Sequence, residues 1–234
     1  MRISIVIPTY NEEKYIGRTL KSVQDLETGS YEVETIIIDA GSTDKTAEIV
    51  KSYPTKLVVI PHRGIGFARK KGIEYATGQI IISTDSDTIV PRNWLTTHVK
   101  ALLEPNVVLS YGPFKVVDGS FSYRFFINYL QYYGWLVTHY IFRRTLATGQ
   151  NTAFWKEKAL LVGGYDEKLL IMEDLDFSLR MSETGKTVYL KDLIVIASGR
   201  RSKEGWRFFT RTAMITVQYF LFGKKNLEGF PDFR

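Results

Sequence analysis

In the stretch IISTDSDTIV, residues 81–90, an apolar run suited to a buried strand ends in two aspartates, Asp85 and Asp87, one residue apart. Two carboxylates that close repel each other unless something positive joins them. A divalent cation does so, and a phosphate can then bind the cation. The stretch therefore reads as a metal–phosphate site at the C-terminal end of a strand. The chain has no cysteine and three scattered histidines, His62, His98 and His139. Thiolate chemistry is excluded, and a histidine-built zinc site is disfavoured. Carboxylate ligands point to a hard ion, Mg²⁺ or Mn²⁺.

Other stretches carry potential chemistry. GGYDEKLLIMEDLDFSLR, residues 163–180, concentrates five acids: Asp166, Glu167, Glu173, Asp174 and Asp176. At helical spacing Glu173 and Asp176 are neighbours, with Arg180 one turn on. A negatively charged first turn, favourable with the helix dipole and paired to Arg180, accounts for part of the cluster. It does not require all five, so a general base is available among them. In DAGSTDKT, residues 39–46, Asp39 directly follows an apolar run, where a nucleobase or ribose can take a hydrogen bond. Gly41 permits a tight turn there, and Thr43 or Asp44 suits a helix cap. PTYNEE, residues 8–13, places Pro8 at a strand end and Asn11 or a neighbour at a cap. RGIGFARKKGIEYATG, residues 63–78, opens a helix with glycines and puts Arg69 in its second turn. A phosphate-binding loop and a plain helix start eased by Gly66 both fit that pattern.

The elements that must position these residues alternate. Strands are expected at 3–8, 33–39, 56–61 and 79–85, separated by helices at about 11–26, 43–52, 65–76 and 91–103. Near-continuous apolar strands separated by helices indicate βαβ units and a parallel sheet buried on both faces. Ligands of such sheets bind beyond the C-terminal strand ends, where Pro8, Asp39 and Asp85 converge. The second half is less regular. Strands are expected at 107–114, 151–155 and 186–190, with helices over 121–142, 173–185 and 203–222. At 234 residues, with no linker or repeat, the chain reads as one domain. Within it, about 1–104 form a regular α/β half, about 105–199 a less regular half and about 200–234 a basic-aromatic C-terminal helix.

The formal net charge of +6 is unevenly placed. Residues 199–225 hold seven Lys or Arg and one acid, Glu204, while residues 121–145 hold three Arg and no acid. This suits an anionic partner such as a nucleotide diphosphate or a phospholipid surface; no nucleic-acid module is recognisable. Residues 125–142 carry no formal charge over 18 positions, the lower limit for a membrane span. Asn128, Gln131, Gly134 and His139 within them argue against spanning. A helix packed in the core and an interfacial helix on a bilayer, flanked by Arg124, Arg143 and Arg144, both remain open. The N-terminal apolar run is too short for a signal peptide, so a cytoplasmic protein is expected, with membrane contact through 121–145 and 199–225.

Taken in order, IVIPTYNEEKYIGRTLKSV, IIIDAGSTDKT, GIGFARKKGIEYATG, STDSDT, GQNTAFWKEKALLVGGYDE and MEDLDFSLR resemble the family 2 glycosyltransferases of GT-A fold. The resemblance covers about three-quarters of the chain, from Ile5 to Arg180. It implies an α/β, Rossmann-like domain with a mostly parallel central sheet flanked by helices. The implied activity is metal-dependent, inverting transfer of a sugar from a UDP- or GDP-sugar to an acceptor hydroxyl or phosphate. By the same resemblance Pro8, Tyr10 and Glu12 would line the nucleoside pocket, Asp39 would bond the base, and Arg69 would sit near the nucleotide, contacting Asp39 or a phosphate. Asp85 and Asp87 would form the DxD pair, with Asp87 the direct ligand of Mn²⁺ or Mg²⁺. Asp174, with Glu173 as the alternative, would be the general base. Gly149, Asn151 and Gly164 would shape the acceptor and donor-sugar pocket, and Arg200 and Arg201 would reach the diphosphate or lie as surface charge. The aromatic and basic segments favour a lipid-linked acceptor, with a soluble saccharide as the alternative.

Three other classes fit less well. A haloacid-dehalogenase-like phosphatase wants Thr or Val where Ile89 stands, and its aspartate pair falls near the chain start. A sugar nucleotidyltransferase would carry a glycine-rich basic loop after the first strand, where PTYNEE stands. An inactive sugar-nucleotide-binding scaffold is opposed by the presence together of Asp39, Asp85, Asp87 and Asp174.

Overall fold

The structure is a computed structural model that describes residues 1–141, 143 and 145–222, apart from the side chains at 216 and 220–222. Phe142, Arg144 and positions 223–234, which belong to the expected aromatic and basic segments, lie outside the described residues. The first half is β1 (Arg2–Thr9), α1 (Ile16–Gln24), β2 (Glu32–Asp39), α2 (Thr46–Lys51), β3 (Lys56–Val59), α3 (Ile65–Tyr75), β4 (Ile80–Ser83), β5 (Thr88–Ile89) and α4 (Trp94–Leu102). The second half begins with β6 (Val107–Tyr111), β7 (Phe114–Val116), α5 (Phe121–Phe125), a π-helical turn (Phe126–Gln131) and α6 (Tyr132–Tyr140). It continues with β8 (Thr152–Trp155), α7 (Lys156–Leu161), α8 (Glu173–Ser182), β9 (Lys186–Tyr189), β10 (Val195–Ala197), a 3-10 turn (Arg200–Glu204) and α9 (Trp206–Phe222).

Seven strands form the main sheet in the order β3-β2-β1-β4-β8-β6-β9. All neighbours run parallel except at β8, which is antiparallel to β4 and to β6. Runs such as Ile36–Ile37–Ile38 and Ile80–Ile81–Ile82 are buried at every position, as a sheet covered on both faces requires. The mostly parallel, helix-flanked sheet matches the expectation. A small sheet, β5-β10-β7, was not expected from the sequence, since its strands are two or three residues long and too short to show a period.

From β1 the chain builds outward to β2 and β3, then crosses back through α3 to set β4 on the other side of β1. This reversal opens a crevice beyond the C-terminal ends of β1 and β4. The register is set by parallel pairing of Thr9 with Asp39 and of Val6 with Ser83. In α3, Gly72 lets the helix lie directly on β1, because a Cβ there would stand 2.3 Å from Val6 Cγ1.

Several boundaries differ from the sequence reading. The expected helix at 11–26 starts at Ile16, because Asn11 takes a left-handed φ of 53° and ties two loops together instead of capping. Its Oδ1 accepts from Thr43 N at 2.8 Å, and its own N–H donates to Ser42 Oγ at 2.9 Å. The 107–114 run divides between two sheets at Gly112–Pro113, and the 203–222 helix starts at Trp206, beyond Gly205. Among the described residues no helix is long and apolar enough to cross a membrane.

Gly72→Ala is expected to lower stability by about 1–3 kcal/mol through overpacking against Val6. Gly134→Ala, in α6 with open space around its α-carbon, should stabilise by about 0.5–1 kcal/mol. Urea unfolding of both variants checks the pair; equal effects would contradict the packing account.

Candidate active site

A cleft of about 760 Å³ lies at the β1/β4 crevice. Of the residues proposed from sequence, Pro8, Tyr10, Glu12, Arg69, Asp85, Asp87, Gly149, Glu173, Asp174, Arg200 and Arg201 line it. Asp39, Asn151 and Gly164 do not. Asp39 stands behind Ala40 and closes its own turn, accepting from Ser42 N at 3.0 Å and from Ser42 Oγ. Asn151 is fully buried and satisfied internally. Its Oδ1 accepts from Trp94 Nε1 at 2.8 Å and faces His98 Nε2 at 3.0 Å, and its Nδ2 donates to the carbonyls of Pro113 and Leu193. Gly164 sits against Ile73 and Lys70.

Arg69 organises the centre. Its guanidinium is buried and donates to Asp85 Oδ1 at 2.7 Å, Ser83 Oγ at 3.1 Å and Glu173 Oε1 at 3.3 Å. It therefore pairs with Asp85 and Glu173, where the sequence reading expected Asp39 or a phosphate. Tyr165 lies beneath, with its ring centroid 5.9 Å away. Gly149 passes over the guanidinium so closely that a Cβ would fall 2.0 Å from Nη1. Gly66, offered as a phosphate-loop residue or a helix start, lies in the first turn of α3 and packs on the backbone of 166–169, where an added Cβ would stand 2.6 Å from Asp166 O.

A second cation, Arg200, reaches in from the 3-10 turn. It donates to both carboxylate oxygens of Glu12 at 2.7 and 2.8 Å and approaches Asp87 Oδ2 at 3.1 Å. Burial pushes the Asp87 carboxyl up to about 6; Arg200 opposes the shift, while Asp85 and Glu12 add to it. Glu173 is pushed up to about 7, by burial first and then by Asp174 beside it; the Arg69 contact opposes this without offsetting it.

The five acids of 163–180 separate by role. Asp166 Oδ1 accepts from Lys168 N, Glu167 pairs with Lys70 at 3.7 Å, and Asp176 takes Arg180 at 2.7 Å. Glu173 faces Arg69. Asp174, in the first turn of α8, is held by Gly149 N at 3.1 Å and Leu175 N at 2.8 Å and faces the cleft. Met172, just before this turn, takes a left-handed φ of 64°, a strained position at the cleft edge.

The pair Asp85 and Asp87 fits a hard divalent ion. Asp85 engages Arg69 through Oδ1 and Asp87 approaches Arg200 through Oδ2, so each carboxylate keeps a second oxygen. Among the described residues no group of three His, Cys, Asp or Glu could hold a metal. Two carboxylates suit an ion whose shell is completed by phosphate and water.

Sequence reasoning missed two features of the cleft. His62 packs against Tyr10, the ring centres 4.1 Å apart and the planes tilted by 40°. It follows the third strand, and the strand-end argument that singled out Asp39 applies equally there. The second is an apolar wall including Phe114, Phe126, Ile127, Trp135 and Phe208, assembled from three parts of the chain.

Gly149→Ala should cost about 3–5 kcal/mol by expelling Arg69 from its buried partners. In an Arg69→Ala background the same change should cost under about 1 kcal/mol, a non-additivity measured by a double-mutant cycle in urea. Glu173 generates a pH prediction. Its native carboxyl holds a proton to about pH 7, whereas the unfolded one releases it near 4.5. Its contribution to stability is thus present below about pH 4.5 and lost as pH rises towards 7. Unfolding measured at about pH 5 and about pH 8 should show a smaller fall in Glu173→Gln than in wild type.

Comparison with known proteins identifies the family and the fold. Residues 4–159 match the sequence profile of glycosyl transferase family 2. An uncharacterized glycosyltransferase of Haemophilus influenzae is 34% identical over 122 residues, covering 50% of this chain and 48% of the relative. Poly(ribitol-phosphate) beta-N-acetylglucosaminyltransferase TarS of Staphylococcus aureus is 33% identical over 101 residues, covering 41% of this chain and 18% of TarS. The chain thus spans about half or less of these relatives. In fold it is similar to the mannosyltransferase PcManGT from Pyrobaculum calidifontis, solved with GDP-Man and Mn²⁺, with a TM-score of 0.72 and 22% identity over 98% of this chain and 66% of that one. TarS 1–349 with UDP-GlcNAc gives 0.68 and 20% over 96% and 68%. The matched profile covers well over half of the sequence, and the chain belongs to glycosyl transferase family 2.

Proposed function

We propose that the protein transfers a sugar from a nucleoside-diphosphate sugar to an acceptor hydroxyl or phosphate, with inversion at the anomeric carbon. The observation that carries this reading is the meeting of Asp85, Asp87, Arg200 and Asp174 in one cleft at the sheet's switch point. The neighbours solved with GDP-Man and with UDP-GlcNAc support a sugar-nucleotide donor. Those holding Mn²⁺ support a divalent ion.

Pro8, Tyr10, Glu12 and His62 form the end of the cleft suited to the nucleoside, with Asp39 setting the turn behind it. Asp85 and Asp87 would hold Mn²⁺ or Mg²⁺ together with diphosphate oxygens, and the ion would stabilise the charge on the departing nucleoside diphosphate. Arg69 positions Asp85. Arg200, and Arg201 beside it, offer positive charge to the diphosphate from the 3-10 turn. Asp174, oriented by two backbone N–H groups, takes the proton from the acceptor as its oxygen attacks the anomeric carbon. Glu173 is committed to Arg69 and is the weaker candidate for that role. The division of labour follows the chain: 1–104 supplies the donor site, 105–199 the acceptor side, and the turn at 200–204 joins them. The apolar wall favours an acceptor carrying a lipid portion.

Calorimetric titration should find tight binding of UDP or GDP with Mn²⁺, weakened at least about tenfold by EDTA or by Asp87→Asn. Asp174→Asn should retain that binding and lose about 10²–10⁴ in transfer rate. Binding indifferent to metal and to Asp87 would remove the role given to the aspartate pair.

A further inference from the structure

The helical segment from Phe121 to Ile141 has two faces with different company. Its inner residues, Tyr123, Phe126, Ile127 and Trp135, line the cleft. Its outer residues Phe121, Phe125, Tyr129, Tyr133 and Val137 recur every four positions, followed by Tyr140 and Ile141, and all are exposed. Phe121 is 77% exposed, Tyr133 59% and Ile141 69%. In a regular α-helix a four-residue repeat drifts by about 40° per step, which would wind the stripe around the helix. The wider π turn at Phe126–Gln131 offsets that drift and keeps the stripe on one side. Phe121, Phe125 and Tyr129 also contact one another ring to ring.

The charge around the stripe is one-sided. Residues 121–145 contain no acid, and Arg124 and Arg143 are exposed near its two ends. Lys203, Arg207 and Trp206 (76%) are also exposed, on the adjoining turn and on α9, which packs against the segment's inner side through the ring contacts Trp206–Phe209 and Phe209–Phe126. Asp118, exposed just ahead of Phe121, is an acid near the stripe and accepts from Gly199 N. The stripe itself, large aromatic rings with arginines at both ends, matches the interface of an anionic bilayer, where rings settle at headgroup depth and cations meet lipid phosphates. A second protein would need a complementary acidic surface and a closely fitted apolar groove.

We infer that the outer stripe Phe121–Ile141 docks on an anionic membrane surface and thereby sets the cleft's aromatic wall next to the bilayer. Leu130, exposed and also lining the cleft mouth, lies where the two faces meet. An acceptor with a lipid portion then reaches Asp174 without leaving the membrane environment. Docking itself concerns the outside of the molecule and does not depend on the transferase reading.

The test is co-sedimentation of the full chain with phosphatidylcholine vesicles and with vesicles of phosphatidylcholine mixed with phosphatidylglycerol. Wild type should bind the anionic vesicles and be released by high salt. The variant Phe125→Ser/Tyr129→Ser/Tyr133→Ser, which leaves the cleft lining intact, should bind them at least about tenfold more weakly, since several buried rings are lost. Arg124→Glu should weaken binding to anionic vesicles and leave the weak binding to neutral ones unchanged. Mn²⁺-dependent nucleotide binding, measured on the same variants, should be unaltered and separates a failed docking idea from a failed donor site. No vesicle binding by wild type, or equal binding by the triple variant, overturns the inference. So does concentration-dependent dimerisation that the triple variant abolishes, which would assign the stripe to a second copy of this chain.

Discussion

The buried guanidinium of Arg69 is the constraint on which the site depends. A charge taken out of water costs several kcal/mol unless it is paired and hydrogen-bonded. Here Asp85 from the end of β4 and Glu173 from the start of α8 both meet it, and Ser83 takes a third bond. One cation thus ties the loop of Asp85 and Asp87 to the helix that carries Asp174. The price is a glycine at position 149, since any side chain there collides with the guanidinium. The Gly149 N–H then holds Asp174, so the same crowding that positions Asp85 also orients that carboxylate.

Sheet direction explains why these parts meet. Parallel strands bring Thr9, Asp39 and Ser83 to one edge, and the reversal of order between β1 and β4 opens the crevice there. The strand β8 runs the other way, with Thr152 paired to Ser83. Its leading residues 148–150 therefore emerge at that same edge. A parallel strand in its place would have delivered them to the far side. Reversing one strand gives the second half of the chain access to the site.

The alternating apolar runs and helices of the first half were legible because β1, β4 and the end of β2 are buried along continuous apolar runs. That Asp85, Asp87 and Asp174 come to one cleft was legible in part, because two of them end a parallel strand whose end opens on the crevice. The partition of the five acids was not. Asp176 and Glu173 share a spacing, yet one faces Arg180 and the other Arg69, a choice made by packing. Asn151 looked like a pocket residue and proved to be a fully satisfied internal tie, because its partners Trp94, His98, Pro113 and Leu193 come from distant positions. The short strands β5, β7 and β10 left no periodic trace.

The sequence by itself determined the α/β alternation, the strand-end carboxylates and the uneven charge, since these follow from residue type and local spacing. Tertiary structure alone decided which carboxylate each arginine neutralises, since those pairs span up to 188 positions. It also decided the apolar wall of the cleft and the sidedness of the aromatic helix. A hydrophobic residue records only that it avoids water; which neighbour covers it depends on how the whole chain closes.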